Sequence, residues 1–185
     1  MYMSFDEIIE KSPSEYYDVE VEKRTEKKIK WDGGNDYELN PIDKSFNKNY
    51  LRKWVVAYSD GTDLYINCFI YKLQQWYAKV LSDNKYFVFS AALPLIPKKF
   101  GMKNNSNILN LFGGIGRGIN GMKLALVRLP YIMDKSNEQL TLVTEKNIAV
   151  IIGNNKDLLE KFNMESEKNS METILEYLIK WNENE

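Results

Sequence analysis

The sequence predicts an α+β fold: an antiparallel β-meander core with a short N-terminal helix and C-terminal amphipathic helices packed on it. Two observations carry this expectation. The middle of the chain is filled by segments rich in β-branched and aromatic residues, separated by turn residues. From Thr144 onward the apolar period changes from strand-like to helical. Strands first and helices last argue for helices on one face or end of an antiparallel sheet. At 185 residues, 44% of them apolar, the chain reads as a single domain with a real core. Its β-rich part spans 15–143 and its helical part 144–182.

The elements follow in order. Ser4 to Lys11 reads as a short helix, with Ser4 as its cap and Phe5, Ile8 and Ile9 on one face. Ser12-Pro13-Ser14 ends it. Tyr17, Val19 and Val21 then alternate with acidic residues, the pattern of a half-buried strand. Lys23 to Lys30 is charged, and Ile29 and Trp31 leave room for a second strand. Asp32-Gly33-Gly34-Asn35-Asp36 is a dense turn signal. It lacks the alternating ligands and terminal Glu of a calcium loop. Asn40 to Asn49 reads as loop with room for a helical turn. Trp54 to Tyr58, Leu64 to Tyr71, Trp76 to Leu81 and Tyr86 to Leu93 form a four-stranded meander, turning at Ser59-Asp60-Gly61-Thr62 and Ser82-Asp83-Asn84-Lys85. Pro94 and Pro97 close it.

Lys98 to Asn107 is a polar loop. Ile108 to Met122 is either a glycine loop or a short glycine-spaced helix. Met122 to Leu129 and Gln139 to Val143 are strand-like around a turn at Asp134 to Glu138. Ile148, Ile151 and Ile152 share a helical face, as do Leu158, Leu159 and Phe162. Met171, Ile174, Leu175, Leu178 and Ile179 keep the three-four spacing of an amphipathic helix, with Asn169 and Glu172 as a capping arrangement.

Composition excludes chemistry more firmly than it suggests any. There is no histidine, which removes Ser-His-Asp and Cys-His catalysis, histidine metal sites and imidazole switching. One cysteine, Cys68, allows neither an internal disulfide nor a thiolate cluster. Cys68 lies in a strand with no adjacent base, so it reads as a buried structural thiol. Lys plus Arg is 25 and Asp plus Glu is 26, which gives no case for a nucleic-acid partner. No run of apolar residues is long enough to span a membrane. Gly116 to Gly121 spells a dinucleotide fingerprint, but no βαβ unit surrounds it. Asp60 and Asp63 flank a hairpin turn, where carboxylates are ordinarily solvated rather than catalytic. The sequence therefore points to no catalytic, cofactor-binding or metal-binding residue.

Aromatic residues crowd the meander, and strand alternation turns half of them outward. Trp54, Tyr65, Trp76 and Tyr77 are the candidate partner or ligand surface on this argument. The glycine segment adds Gly113, Gly114, Gly116, Arg117 and Gly118, within the long loop Lys98 to Gly121.

The order of motifs resembles a family of uncharacterised bacterial exported proteins of unknown function, periplasmic or lipoprotein in type. The resemblance rests on the turn Gly33 to Tyr37, the segment Ser59 to Cys68, the strand Trp76 to Val80 and Phe89 to Pro94, followed by a glycine-rich segment and an acidic amphipathic C-terminus. It implies a periplasmic or cell-surface location with a leader removed. The N-terminus itself, with Asp6, Glu7 and Glu10 and no early basic residue, is no secretory signal and reads as cytoplasmic. The expected function is a non-enzymatic extracytoplasmic binding domain whose partner is an envelope protein or glycan. The alternatives are a carboxylate-based hydrolase acting on glycan and a purely structural or inhibitory module.

Overall fold

The computed structural model describes residues 1–42, 46–100 and 121–185. In chain order the elements are α1 (Phe5–Ile9), β1 (Val19–Lys23), α2 (Glu26–Asp32), β2 (Tyr37–Pro41), α3 (Lys48–Trp54), β3 (Ala57–Ser59), β4 (Leu64–Asn67), β5 (Tyr77–Asp83) and β6 (Tyr86–Ala91). A 3-10 turn at Pro97–Phe100 precedes α4 (Gly121–Leu124), β7 (Leu129–Asp134), β8 (Leu140–Leu142), α5 (Glu145–Ile151), α6 (Lys156–Met164) and α7 (Met171–Glu183). The fold is α+β, with one antiparallel sheet of eight strands.

The path β1-β2-β5-β6-β7-β8 makes the sheet, and β3 and β4 branch from β5. Strand β5 is the hub. Tyr77 pairs with Tyr37 of β2 on one side and with Asn67 of β4 on the other. A bulge between Val80 and Ser82 lets the second half of β5 turn to β6. The expected meander is present, since β3, β4, β5 and β6 pair in succession.

Both faces near β5 are covered. On one, α7 lays Ile174, Tyr177, Leu178 and Trp181 against β5, β6 and β7. Each fully buried side chain of this size contributes about 1.5–3 kcal/mol. On the other, Leu39, Leu51, Val55, Tyr65 and Tyr77 form a second cluster with α3. Adjacent residues of β5 serve different clusters: Tyr77 joins the second and Ala78 the first.

Three fully buried asparagines tie the elements together. Asn35 donates through Nδ2 to the carbonyls of Leu73 (2.8 Å) and Gln75 (2.9 Å), and its Oδ1 accepts from the Ala92 amide (2.6 Å). Asn67 donates to the carbonyls of Arg52 (2.9 Å) and Val55 (2.7 Å), so it caps the C-terminal end of α3 from the neighbouring strand. Asn182 donates to Ser82 Oγ (2.8 Å) and the Tyr86 carbonyl (2.9 Å) and accepts from the Tyr86 amide (3.0 Å), which fastens α7 to the β5–β6 hairpin. A buried amide with all its valences used locks one arrangement, because any other leaves polar groups unpaired.

Several local expectations change. Lys23 to Lys30 carries α2 rather than a second strand. Thr25 caps it by accepting from the Lys28 amide, and Glu26 pairs with Lys30 at 3.0 Å. Trp54 ends α3 instead of starting a strand, because Asn47 caps that helix and Asn67 holds its last carbonyls. Met122 to Leu124 is helical, and β7 begins at Leu129. Pro130 lies inside β7 at no cost. Its carbonyl accepts from Val143, so its ring nitrogen faces past the end of β8. The cap of α7 is Ser170, which accepts from the Thr173 amide, one residue later than expected. The glycine segment, with Gly113, Gly114, Gly116, Arg117 and Gly118, lies outside the described residues.

Candidate functional site

The chain leaves α1 through Lys11, whose φ of 53° turns it back. Ser12 and Pro13 carry it away from the helix, and residues 11–18 run beside the β3–β4 hairpin. The edge of β3 is held by Tyr2. Its amide donates to the Ala57 carbonyl (2.9 Å) and its carbonyl accepts from Val56 (2.8 Å). Between these segments opens a cleft of about 630 Å³. Tyr2, Tyr16, Tyr17 and Tyr58 line it, with Lys11, Asp18 and Ser59. This is the size of an ordinary small-ligand site.

The tyrosines are held differently. Tyr16 is 83% exposed, whereas Tyr17 packs at a tilt against Phe46 with ring centroids 4.4 Å apart. Tyr50 meets both rings edge-on and donates its hydroxyl to Glu15 Oε2 at 2.8 Å. Burial and then that carboxylate push the Tyr50 phenol up to about 12. Burial, followed by Asp60 and Asp18, raises the Tyr58 phenol, and burial with Tyr16 and Asp83 raises that of Tyr2. Both phenols are therefore neutral donors at physiological pH.

The hairpin tip bounding the cleft is rigid. Asp60 Oδ1 accepts from the amides of Thr62 (2.9 Å) and Asp63 (2.8 Å), and these bonds hold its carboxyl below the ordinary range. Asp63 binds Lys79 at 2.6 Å. Asp63 and Asp83 line a smaller adjoining cleft, but Asp83 is in turn paired with Lys135. A glycosidase acid needs a carboxyl raised toward neutrality. Among the described residues the carboxyls that are displaced, Glu7, Glu22, Asp60, Asp134 and Glu185, all move down.

One family model matches the chain over residues 1–185. The chain belongs to DUF6563, a family of unknown function. No curated protein and no solved structure matches this DUF6563 chain.

Among the described residues of the DUF6563 chain, the four aromatics predicted to form a surface are distributed rather than joined. Tyr65 and Tyr77 are buried in the second cluster: Tyr65 packs against Tyr37 with ring centroids 5.1 Å apart and planes inclined at 59°, and Tyr77 donates to the Leu51 carbonyl at 2.8 Å. Trp76 is half-buried beneath the Arg24 guanidinium, 5.3 Å from its ring centroid. Trp54 is well exposed at the end of α3. Alternation turned Tyr65 and Tyr77 inward because both sheet faces are covered there. The cleft tyrosines Tyr2, Tyr16 and Tyr17 were not singled out, as two of the cleft's walls come from segments far apart in sequence. Cys68 is fully buried, and burial pushes its thiol well up, so it is no nucleophile.

Proposed function

We propose that the chain is a non-enzymatic binding domain whose tyrosine-lined cleft takes a glycan of the bacterial envelope. The carrying observation is the cleft itself, where Tyr2, Tyr16, Tyr17 and Tyr58 meet Asp18 and Ser59. Phenol rings offer apolar faces to the C–H face of a sugar, and their hydroxyls, with Asp18 and Ser59, serve its hydroxyl groups. An open concavity favours a binder over a purely structural module. The downward-shifted and lysine-paired carboxyls favour a binder over a hydrolase. A glycan ligand agrees with the periplasmic or cell-surface location that the sequence resemblance implies.

Calorimetric titration with a tetrasaccharide of N-acetylhexosamines tests the reading. Binding is expected, and Tyr16→Ala and Tyr58→Phe should each weaken it, Tyr16→Ala by about tenfold, the loss of one stacking contact plus a hydroxyl. Absence of heat for this and for neutral hexose and uronate oligosaccharides would remove the glycan. Recovery of the native protein from the cytosolic fraction would remove the location.

A further inference from the structure

A second surface, independent of the cleft, is built around the turn that follows β4. Three residues there are left-handed without being glycine: Lys72 (φ 65°), Gln74 (φ 72°) and Trp76 (φ 74°). Such backbone persists only where its surroundings over-determine it, and it gathers at functional sites. Here the surroundings are the Asn35 amide bonds to Leu73 and Gln75, the Gln74 side chain bonded to the Leu93 carbonyl (3.0 Å), and the Leu95 amide on the Lys72 carbonyl (2.8 Å).

This clamp fixes a cationic, aromatic surface. The Arg52 guanidinium and the Lys72 ammonium both lie over the Phe69 ring, at 5.7 and 5.6 Å from its centroid. Asn67 joins Phe69 to the end of α3: it accepts from the Phe69 amide (3.1 Å) and donates to the Arg52 and Val55 carbonyls. Arg52 spends its terminal nitrogens on neutral amides, Gln75 and Asn49, and its Nε is buried without a partner. Among the described residues neither Arg52 nor Lys72 has a carboxylate within ion-pair distance, although ten such pairs occur elsewhere. The two cations thus share one aromatic ring with no ion-pair carboxylate between them among the described residues.

We infer that the surface formed by Arg52, Phe69 and Lys72 docks an acidic segment of a protein partner. A carboxylate is a stronger acceptor for these two cations than the neutral amides that Arg52 holds. Arginine is among the residue types that most often anchor protein interfaces, and here it lies over an aromatic ring. Fixed backbone lowers the ordering cost of binding.

The test is fluorescence anisotropy at low salt with a labelled decapeptide rich in Glu and containing one Leu, using the full chain. Binding is expected, weakened about tenfold by the pair Arg52→Gln with Lys72→Asn. Asparagine tolerates the left-handed backbone at residue 72, so lost charge is separated from lost fold. Lys156→Gln, on α6, should leave binding unchanged. Equal affinity in all variants would overturn the inference. So would polyuridylate or an acidic polysaccharide binding with the same variant dependence and greater affinity than the peptide, since the surface would then serve another class of polyanion.

Discussion

Replacing Asn35 by alanine removes a three-way clamp and leaves the surrounding backbone where it was. The side chain makes bonds of 2.8 and 2.9 Å to the Leu73 and Gln75 carbonyls and accepts one of 2.6 Å from Ala92. Each is worth about 1 kcal/mol net. Gln75 keeps a partner, because its carbonyl also accepts from the Asn35 amide at 2.9 Å. The Leu73 carbonyl and the Ala92 amide lose their side-chain partner, and an unpaired buried group costs about 1–3 kcal/mol. The expected loss is therefore about 3–7 kcal/mol, a large share of the ~5–15 kcal/mol typical of a folded domain. Asn35→Asp should be at least as damaging, because it presents a carboxylate oxygen to two carbonyls in a site with no exposure. Urea unfolding followed by tryptophan fluorescence measures both. A loss under about 1 kcal/mol for Asn35→Ala, with an unchanged slope, would refute the clamp.

Two further outcomes follow from the same geometry. Gly34→Ala should destabilise far more than Gly61→Ala, although both have positive φ (84° and 94°). A Cβ at residue 34 would lie 2.7 Å from Trp76 Cδ1 and 2.9 Å from the Gln75 carbonyl, whereas at residue 61 it meets nothing within 4 Å. Thermal melts should put Gly61→Ala near the ~1 kcal/mol of backbone strain alone, with Gly34→Ala well beyond it. Stability should also fall on acidification. Hydrogen bonds hold Glu7, Asp60 and Asp134 below their ordinary values: the Met3 amide for Glu7, the Asp63 amide for Asp60 and Ser136 for Asp134. Their contribution is complete above the ordinary carboxylate pKa of about 4 and is lost as pH falls through the lower folded values. A melting temperature flat from pH 6 to pH 2.5 would contradict this.

What the sequence discloses is what is local. The Asp60-Gly61 hairpin, the Gly33-Gly34 turn and the helical period from Thr144 depend on neighbours a few residues apart, and all three are present. Helices α2 and α3 were obscured because they are short, charged and settled by caps at Thr25 and Asn47 that a run of Lys and Asn conceals. The strand-like aromatics misled for a different reason. Alternation assigns Tyr65 and Tyr77 to one face, but it does not say whether that face is covered, and here α3 covers it. Long-range polar bonds were beyond reach altogether. Asn35 meets Ala92 and Asn182 meets Ser82 across separations that no spacing rule relates. The cleft is of the same kind, since Tyr2, Tyr16 and Tyr58 converge only after β3 has paired with the first residues of the chain.

The most direct measurement is an NMR titration of protein carrying ring-labelled tyrosine with the N-acetylhexosamine tetrasaccharide. The account predicts shifts confined to Tyr2, Tyr16, Tyr17 and Tyr58, while the core rings of Tyr77 and Tyr131 stay unmoved. Saturating shifts elsewhere, or none at millimolar sugar, would contradict the tyrosine cleft as the ligand site.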